Sequence, residues 1–287
     1  MRIKLLTLSI LTFFVSCDSA MTQKTNSAYT VGKRHILPEE VQETSGLIKF
    51  NGLVWTFNDS GGKPEIYGLN LTNDSIEQTI IIKNGINKDW EEITQDNTFI
   101  YIGDFGNNQG TRDSMVIYKI AKASLPEKGN GEVTAEKIVF SYPGYKPVSL
   151  AVSMSPYDCE AFVVMKDNIY LFSKNWLDGT STVYSLPKVS GKYVAKKITT
   201  LGTKGLVTGA SCQDNKLVLI GYSSFVPFII SYTFTDMNKL SDKQSVRYDL
   251  DKIATYQTEG ICFDDSKILI SSEKTRSPAQ IIEIVLY

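Results

Sequence analysis

One pattern recurs five times along this chain and restricts what it can fold into. A small or acidic residue opens a short apolar run, a tight polar turn follows, and a second apolar run ends in a polar loop. The copies are TSGLIKFNGLVWTFNDSGG (44–62), WEEITQDNTFIYIGDFGNN (90–108), CEAFVVMKDNIYLFSKN (159–175), TGASCQDNKLVLIGYSS (208–224) and TEGICFDDSKILISSEK (258–274). Val, Ile, Tyr, Phe and Thr alternate within these runs, and Gly, Asn, Asp and Ser separate them. That spacing specifies strands and hairpins, not helices. A third run follows each copy: EIYGLNL, MVIYKIA, STVYSLP, PFIISYTF and AQIIEIVLY. Copies one to four add a fourth: EQTIIIK, EKIVFSY, YVAKKITTL and QSVRYDL.

Repeats of about 50 residues with four strands each are the grammar of a β-propeller. Copy five reaches Tyr287 after its third strand. The missing strand is expected from the front of the chain, near KRHIL (33–37), so that strands from both ends close the ring and protect its last edge. The expectation is an all-β, five-bladed β-propeller over residues 29–287. Six blades is the alternative, because 69 residues separate the register points of copies two and three. The excess is assigned to the loop around PGYKPVSLAVSMSPY.

Residues 1–16 read as an export signal, with Arg2 and Lys4 before an apolar run too short to span a bilayer. The run stops at Ser16-Cys17, and FFVSC resembles a bacterial lipoprotein signal with lipid on Cys17; an ordinary signal peptide with an incidental cysteine is the alternative. Residues 17–28 are small and polar, a flexible tether. These features predict a cell-envelope lipoprotein held to the membrane by its lipid alone. Cys159, Cys212 and Cys262 lie in or beside apolar runs and are expected to be buried, unpaired thiols. A net charge of -1 supplies no basic surface for nucleic acid, and a single histidine, His35, excludes most His-based triads and His-rich metal sites.

The first position of each innermost strand is Ser45, Glu91, Glu160, Gly209 and Glu259. In a propeller these positions ring one axis. Converging carboxylates must take up protons or hold a cation. Oxygen donors without His or Cys suit calcium, giving a candidate metal set of Ser45, Glu91, Glu160 and Glu259. The alternative is that these side chains cap strand-end amides. Strand alternation turns Glu92 away from the axis. Asp89 falls in the loop leading into the strand, and Trp90 packs beside the channel.

The loops after the second strands should surround the channel mouth. Asp59 and Asp104 stand at matching places there and could bind the ion through water or act as general bases, although Asn-Asp-Ser-Gly-Gly is also good turn chemistry. Asn58, Asn107, Arg112, Lys174, Lys274 and Arg276 are candidate ligand contacts for a small anion, the alternative being a solvated rim. Tyr67, Tyr118, Tyr184 and Tyr232 are expected between blades.

The set SGL…NDSGG…IYGLN, DWEEI…IYIGDFGNN, DCEAF…IYLFSK, TGA and TEGI resembles secreted bacterial β-propeller proteins of undefined function, related to phytase-like and SdiA-regulated propellers, over residues 40–287. More distantly, Ser45, Glu91, Glu160 and Glu259 resemble the axial calcium ligands of five-bladed, soluble calcium-activated nucleotidases (apyrases). That likeness implies one axial calcium ion; Gly209 departs from it. Three functions follow as expectations: a calcium-containing propeller binding a ligand or partner on its top face, a calcium-dependent phosphohydrolase, and an envelope scaffold. A monomer is expected, with an envelope protein as the other candidate partner.

Overall fold

The computed structural model describes residues 28–146 and 155–287, together with the backbone of Lys24–Thr25. The export signal, Cys17 and nearly all of the tether lie outside the described residues, as does the middle of the loop assigned to the excess of copy two.

Five antiparallel sheets stand around one axis. Blade one is Thr44–Phe50, Leu53–Asn58, Glu65–Asn70 and Ser75–Ile82, from the axis outward. Blade two is Trp90–Gln95, Phe99–Asp104, Met115–Ala121 and Glu136–Ser141. Blade three is Cys159–Met165, Asn168–Ser173, Ser181–Pro187 and Lys196–Leu201. Blade four is Leu206–Gln213, Lys216–Ser223, Val226–Thr233 and Ser245–Asp249. Blade five is Thr258–Asp264, Lys267–Ser272, Gln280–Leu286 and, from the front of the chain, Tyr29–Ile36. Tyr29–Ile36 pairs antiparallel with Gln280–Leu286, closing the ring as the repeat grammar requires. The described residues hold five blades, not six.

The apolar core is divided among the seams between blades. One cluster joins Trp55, Phe57 and Ile66 of blade one to Trp90, Ile93 and Tyr118 of blade two. Others join blades two and three through Phe140, Phe162 and Tyr184, blades three and four through Phe172, Phe228 and Tyr232, and blades four and five through Ile220, Ile270 and Ile284. The last joins blades five and one through Leu269, Ile281 and Tyr67. All four third-strand tyrosines therefore sit in seams. The inner strands bury both faces, which explains their nearly continuous apolar runs. Trp90 meets Phe57 edge to face at 5.5 Å, and its indole N–H donates to the Ile86 carbonyl.

Two devices were not foreseen. First, segments outside the four-strand grammar, two of them between the third and fourth strands of their own blades, add fifth strands to other blades. Gly131–Val133 pairs in parallel with the outer strand of blade one, Gly191–Val194 with that of blade two, and Lys24–Thr25 with that of blade four. The run YVAKKITTL is thus two strands, broken at Ala195. Second, every innermost strand is irregular in register near its start, between Ser45 and Ile48, Trp90 and Glu92, Cys159 and Ala161, Val207 and Gly209, and Thr258 and Ile261. Bulges of this kind interrupt the in-out alternation of a strand and re-aim its side chains.

Candidate functional site

The mouth of the channel is assembled by side chains that tie loops to strands. Asn87, in the loop before blade two, donates through Nδ2 to the carbonyls of Asn58 and Asp59 at 2.9 and 3.0 Å, while its Oδ1 accepts from the Trp90 amide. One side chain thereby fixes the Asp59 loop of blade one against the start of blade two. The Asp89 amide donates to Asp104 Oδ1 at 3.1 Å, and Arg112 closes on the same oxygen at 2.9 Å. Gly106 lies against the result: a Cβ there would stand 2.0 Å from Glu91 Oε1 and 2.4 Å from Asp89 Oδ2. Only glycine lets this loop backbone reach both carboxylates.

These constraints bring one carboxylate oxygen each from Asp59, Asp89 and Glu91 within 4.8 Å of one another. Oxygens bound to one calcium at about 2.3–2.6 Å can lie no more than about 5 Å apart, so the spacing suits a shared ion. Burial raises Asp59 and Asp89 each to about 6, and Asp59 adds its repulsion to Asp89. Glu91 is pushed well above the usual carboxylate range by burial and then by Glu160, Asp59, Asp158 and Asp89.

A second group adjoins the first. Lys174 Nζ donates to both oxygens of Glu160 at 2.5 Å, with both side chains buried. Burial alone would lower Lys174, but Glu160 and Glu259 together hold it well above its ordinary value. Glu259 is raised to about 7 by burial, against the pull of Lys174. Glu273 is raised to about 9 by burial and by the charges of Glu259, Asp59 and Glu43. Asp158 is fully buried, accepting from the Asn107 amide and the Trp176 indole N–H. Carboxylates therefore outnumber the cations Lys174 and Arg112 at the mouth, and buried like charges in excess call for protons or a bound cation.

Several expected roles change in this geometry. Ser45 donates its hydroxyl to the Glu91 carbonyl at 2.6 Å and joins blades one and two. Glu160 is engaged by Lys174, so Lys174 serves a carboxylate of the protein itself. Strand register sets Asp104 opposite Trp90 and Asn58 opposite Thr44, making Asn58, not Asp59, the counterpart of Asp104. Both are structural clamps: Asp104 holds Asp89 and Arg112, and Asn58 joins the Glu43 amide to the Glu40 carbonyl. Asn107 and Arg112 tie up their own loop, through the Arg112 backbone and the Gly106 and Asp104 carbonyls. Lys274 donates to Gln42, and Arg276 is exposed on the same loop.

Glu92 departs most from expectation. It does not turn away from the axis but lies fully buried, with Oε1 accepting from the Ile93 amide and Oε2 from the Ala210 amide of blade four at 2.8 Å. The bulge at the start of the strand is the reason: Glu91 is passed over in the pairing, so alternation does not separate the two glutamates. Gly209 has a matching explanation. A Cβ there would meet the Glu259 carbonyl oxygen at 2.3 Å, so the ring has no room for a side chain at that point. Asp89, Asp158 and Glu273 were not foreseen as members of the cluster. The signal for the first two was present as Asp-x-Glu, in DWE (89–91) and again in DCE (158–160).

No protein-family model matches this chain, and no curated protein matches it by sequence. Among solved structures, glutaminyl cyclase from Myxococcus xanthus is similar over 90% of this chain and 97% of its own, with a TM-score of 0.55 at 9% identity. The PQQ-bound aldose sugar dehydrogenase from Streptomyces coelicolor is similar over 93% of this chain and 100% of its own, with a TM-score of 0.52 at 7% identity. At such identities the likeness is one of fold.

Proposed function

We propose that this chain is an exported, lipid-anchored propeller that holds one calcium-type cation at the top of its axis and uses the ion to bind a small, oxygen-rich anionic ligand. The observation that carries the reading is the cluster of Asp59, Asp89 and Glu91 within 4.8 Å, with no lysine or arginine among the described residues in an ion pair with it. Its donors are all oxygens, which favours a hard cation. Three carboxylates leave part of a calcium shell open, and ligand oxygens or water complete it. Metal analysis of the purified protein, with melting in the presence and absence of a chelator, tests this. Bound calcium and a lower Tm after chelation are expected; no metal and no shift would remove the premise. Anchoring at Cys17 is part of the proposal, and radiolabelled palmitate should be incorporated by the natural chain but not by Cys17→Ser.

Asp59 supports a second reading, ion-assisted hydrolysis of phosphoesters. A carboxylate in the mouth loop beside the ion suits a base for an attacking water. Calcium-dependent phosphate release that is abolished by Asp59→Asn would support it. Absence of release across nucleotides and simple phosphoesters would leave binding as the function.

A further inference from the structure

Between the top loops of blades four and five lies a cavity of about 350 Å³, lined by Tyr222, Phe225, Thr255, Tyr256, Gln257 and Thr275. It adjoins the axial cluster on two sides. Lys174 Nζ stands 5.4 Å from the centre of the Tyr222 ring, and Gln257 Nε2 donates to Glu273 at 2.6 Å. We infer that this cavity is a subsite for one sugar ring.

The first argument is the conformation of Phe225. It shares a two-residue hairpin turn with Ser224, and both have left-handed backbones, at φ 67° and 49°. Such turns favour Asn-Gly, and a left-handed residue with a side chain is strained. Phe225 is nevertheless 79% exposed, so its ring returns little packing for that strain. Its carbonyl accepts from the Thr255 amide at 2.8 Å, which fixes the turn to the facing wall of the cavity. An exposed aromatic ring, held rigidly in a strained turn at a cavity rim, is arranged to meet a ligand.

The second argument is the lining chemistry. Three aromatic rings and the polar ends of two threonines and a glutamine face the space, and among the described residues no Asp, Glu, Lys, Arg or His lines it. With Gln257 Nε2 engaged by Glu273, its Oε1 is left to accept from a ligand donor. Tyr256 accepts from Arg34 at 2.6 Å, which holds its ring at the cavity wall. Aromatic faces suit the C–H face of a pyranose, while the surrounding oxygens and hydroxyls suit its hydroxyl groups. The flanking cations Arg34 and Lys174 stand over the Tyr256 and Tyr222 rings, 5.2 and 5.4 Å from their centres, and are not among the lining residues. The volume, at the small end for ligand pockets, suits one ring.

The inference stands apart from the cation, and the experiment keeps the two separate. Saturation-transfer NMR on the full chain would use methyl β-glucoside, methyl α-mannoside, N-acetylglucosamine and, as a planar counter-probe, phenol, each in calcium and in EDTA. Transfer to the ring protons of at least one sugar is expected in both buffers. Phe225→Ala should weaken that binding about tenfold and Phe225→Tyr should retain it. Transfer to phenol alone, no transfer to any sugar, or a sugar signal indifferent to Phe225→Ala would overturn the assignment.

Discussion

Glu92 ties two blades together from the centre of the ring. Its carboxyl is wholly buried, and burial pushes it well above the usual range while amide donors pull it back. Through Ala210 it joins blade two to blade four across the axis. In Glu92→Gln an amide group must replace one of two oxygens that accept from backbone N–H groups, leaving a donor facing a donor. We expect a loss of about 2–3 kcal/mol in urea unfolding, with calcium affinity little changed. Glu91→Gln should do the reverse and weaken calcium binding while sparing the fold. Exchange of these two phenotypes would show that the axial register is assigned wrongly. Gly209→Ala tests steric closure, since its Cβ would stand 2.3 Å from the Glu259 carbonyl. Overpacking of this kind costs on the order of 3 kcal/mol, and an unchanged melting curve would contradict the close contact. The spacing of Ser45, Glu91, Glu160 and Glu259 was legible because equivalent strands repeat. The true course of Glu92 was not, because a bulge that undoes alternation has no composition of its own.

At the scale of elements, blades are joined by strands that leave one repeat for the next. Ala195 marks such a crossing: its amide donates to the Ser141 carbonyl of blade two, and the chain then enters the fourth strand of blade three. YVAKKITTL holds no glycine or proline at that point, so the break was hidden in the sequence. The closing strand was legible from the absence of a fourth run before Tyr287, and it forms as Tyr29–Ile36. It bears Lys33 and Arg34, and Lys33 Nζ reaches the Leu71 carbonyl of blade one. His35 meets Asp74 of blade one at 2.6 Å across the same seam. A chain beginning at residue 38 would expose the edge of Gln280–Leu286, whose side chains are largely apolar. Size-exclusion chromatography should find it aggregated or self-paired. A monomer of that truncation with the Tm of the mature chain would show that ring closure contributes little.

For the whole molecule, the carboxylates at the axis couple stability to pH. Asp59 and Asp89 rise from 3.8 to about 6, and Glu259 from 4.5 to about 7, each chiefly by burial. Between about pH 4 and pH 7 the folded chain therefore holds protons that the unfolded chain has released. Stability contributed by these groups is complete at the acid end of that window and falls as pH rises through it. Metal-stripped protein should melt higher at pH 5 than at pH 7.5, and calcium should raise Tm more at pH 7.5, where it replaces the protons. A Tm insensitive to pH in both conditions would contradict the electrostatic account. The oxygen-only donor set was legible from a chain with one histidine and few cysteines. Asp59 was legible as a mouth-loop carboxylate near the ion, but the participation of Asp89 depended on Asn87 and Gly106 drawing two loops together, which no repeat spelled out.

The central claim is that these carboxylates share one ion, and isothermal titration of calcium into the stripped chain at pH 7.5 tests it most directly. One ion per chain should bind in the natural protein, with binding weakened at least about a hundredfold (close to 3 kcal/mol) in Asp89→Asn. Absence of binding heat in the natural protein, or equal affinity in Asp89→Asn, would contradict it.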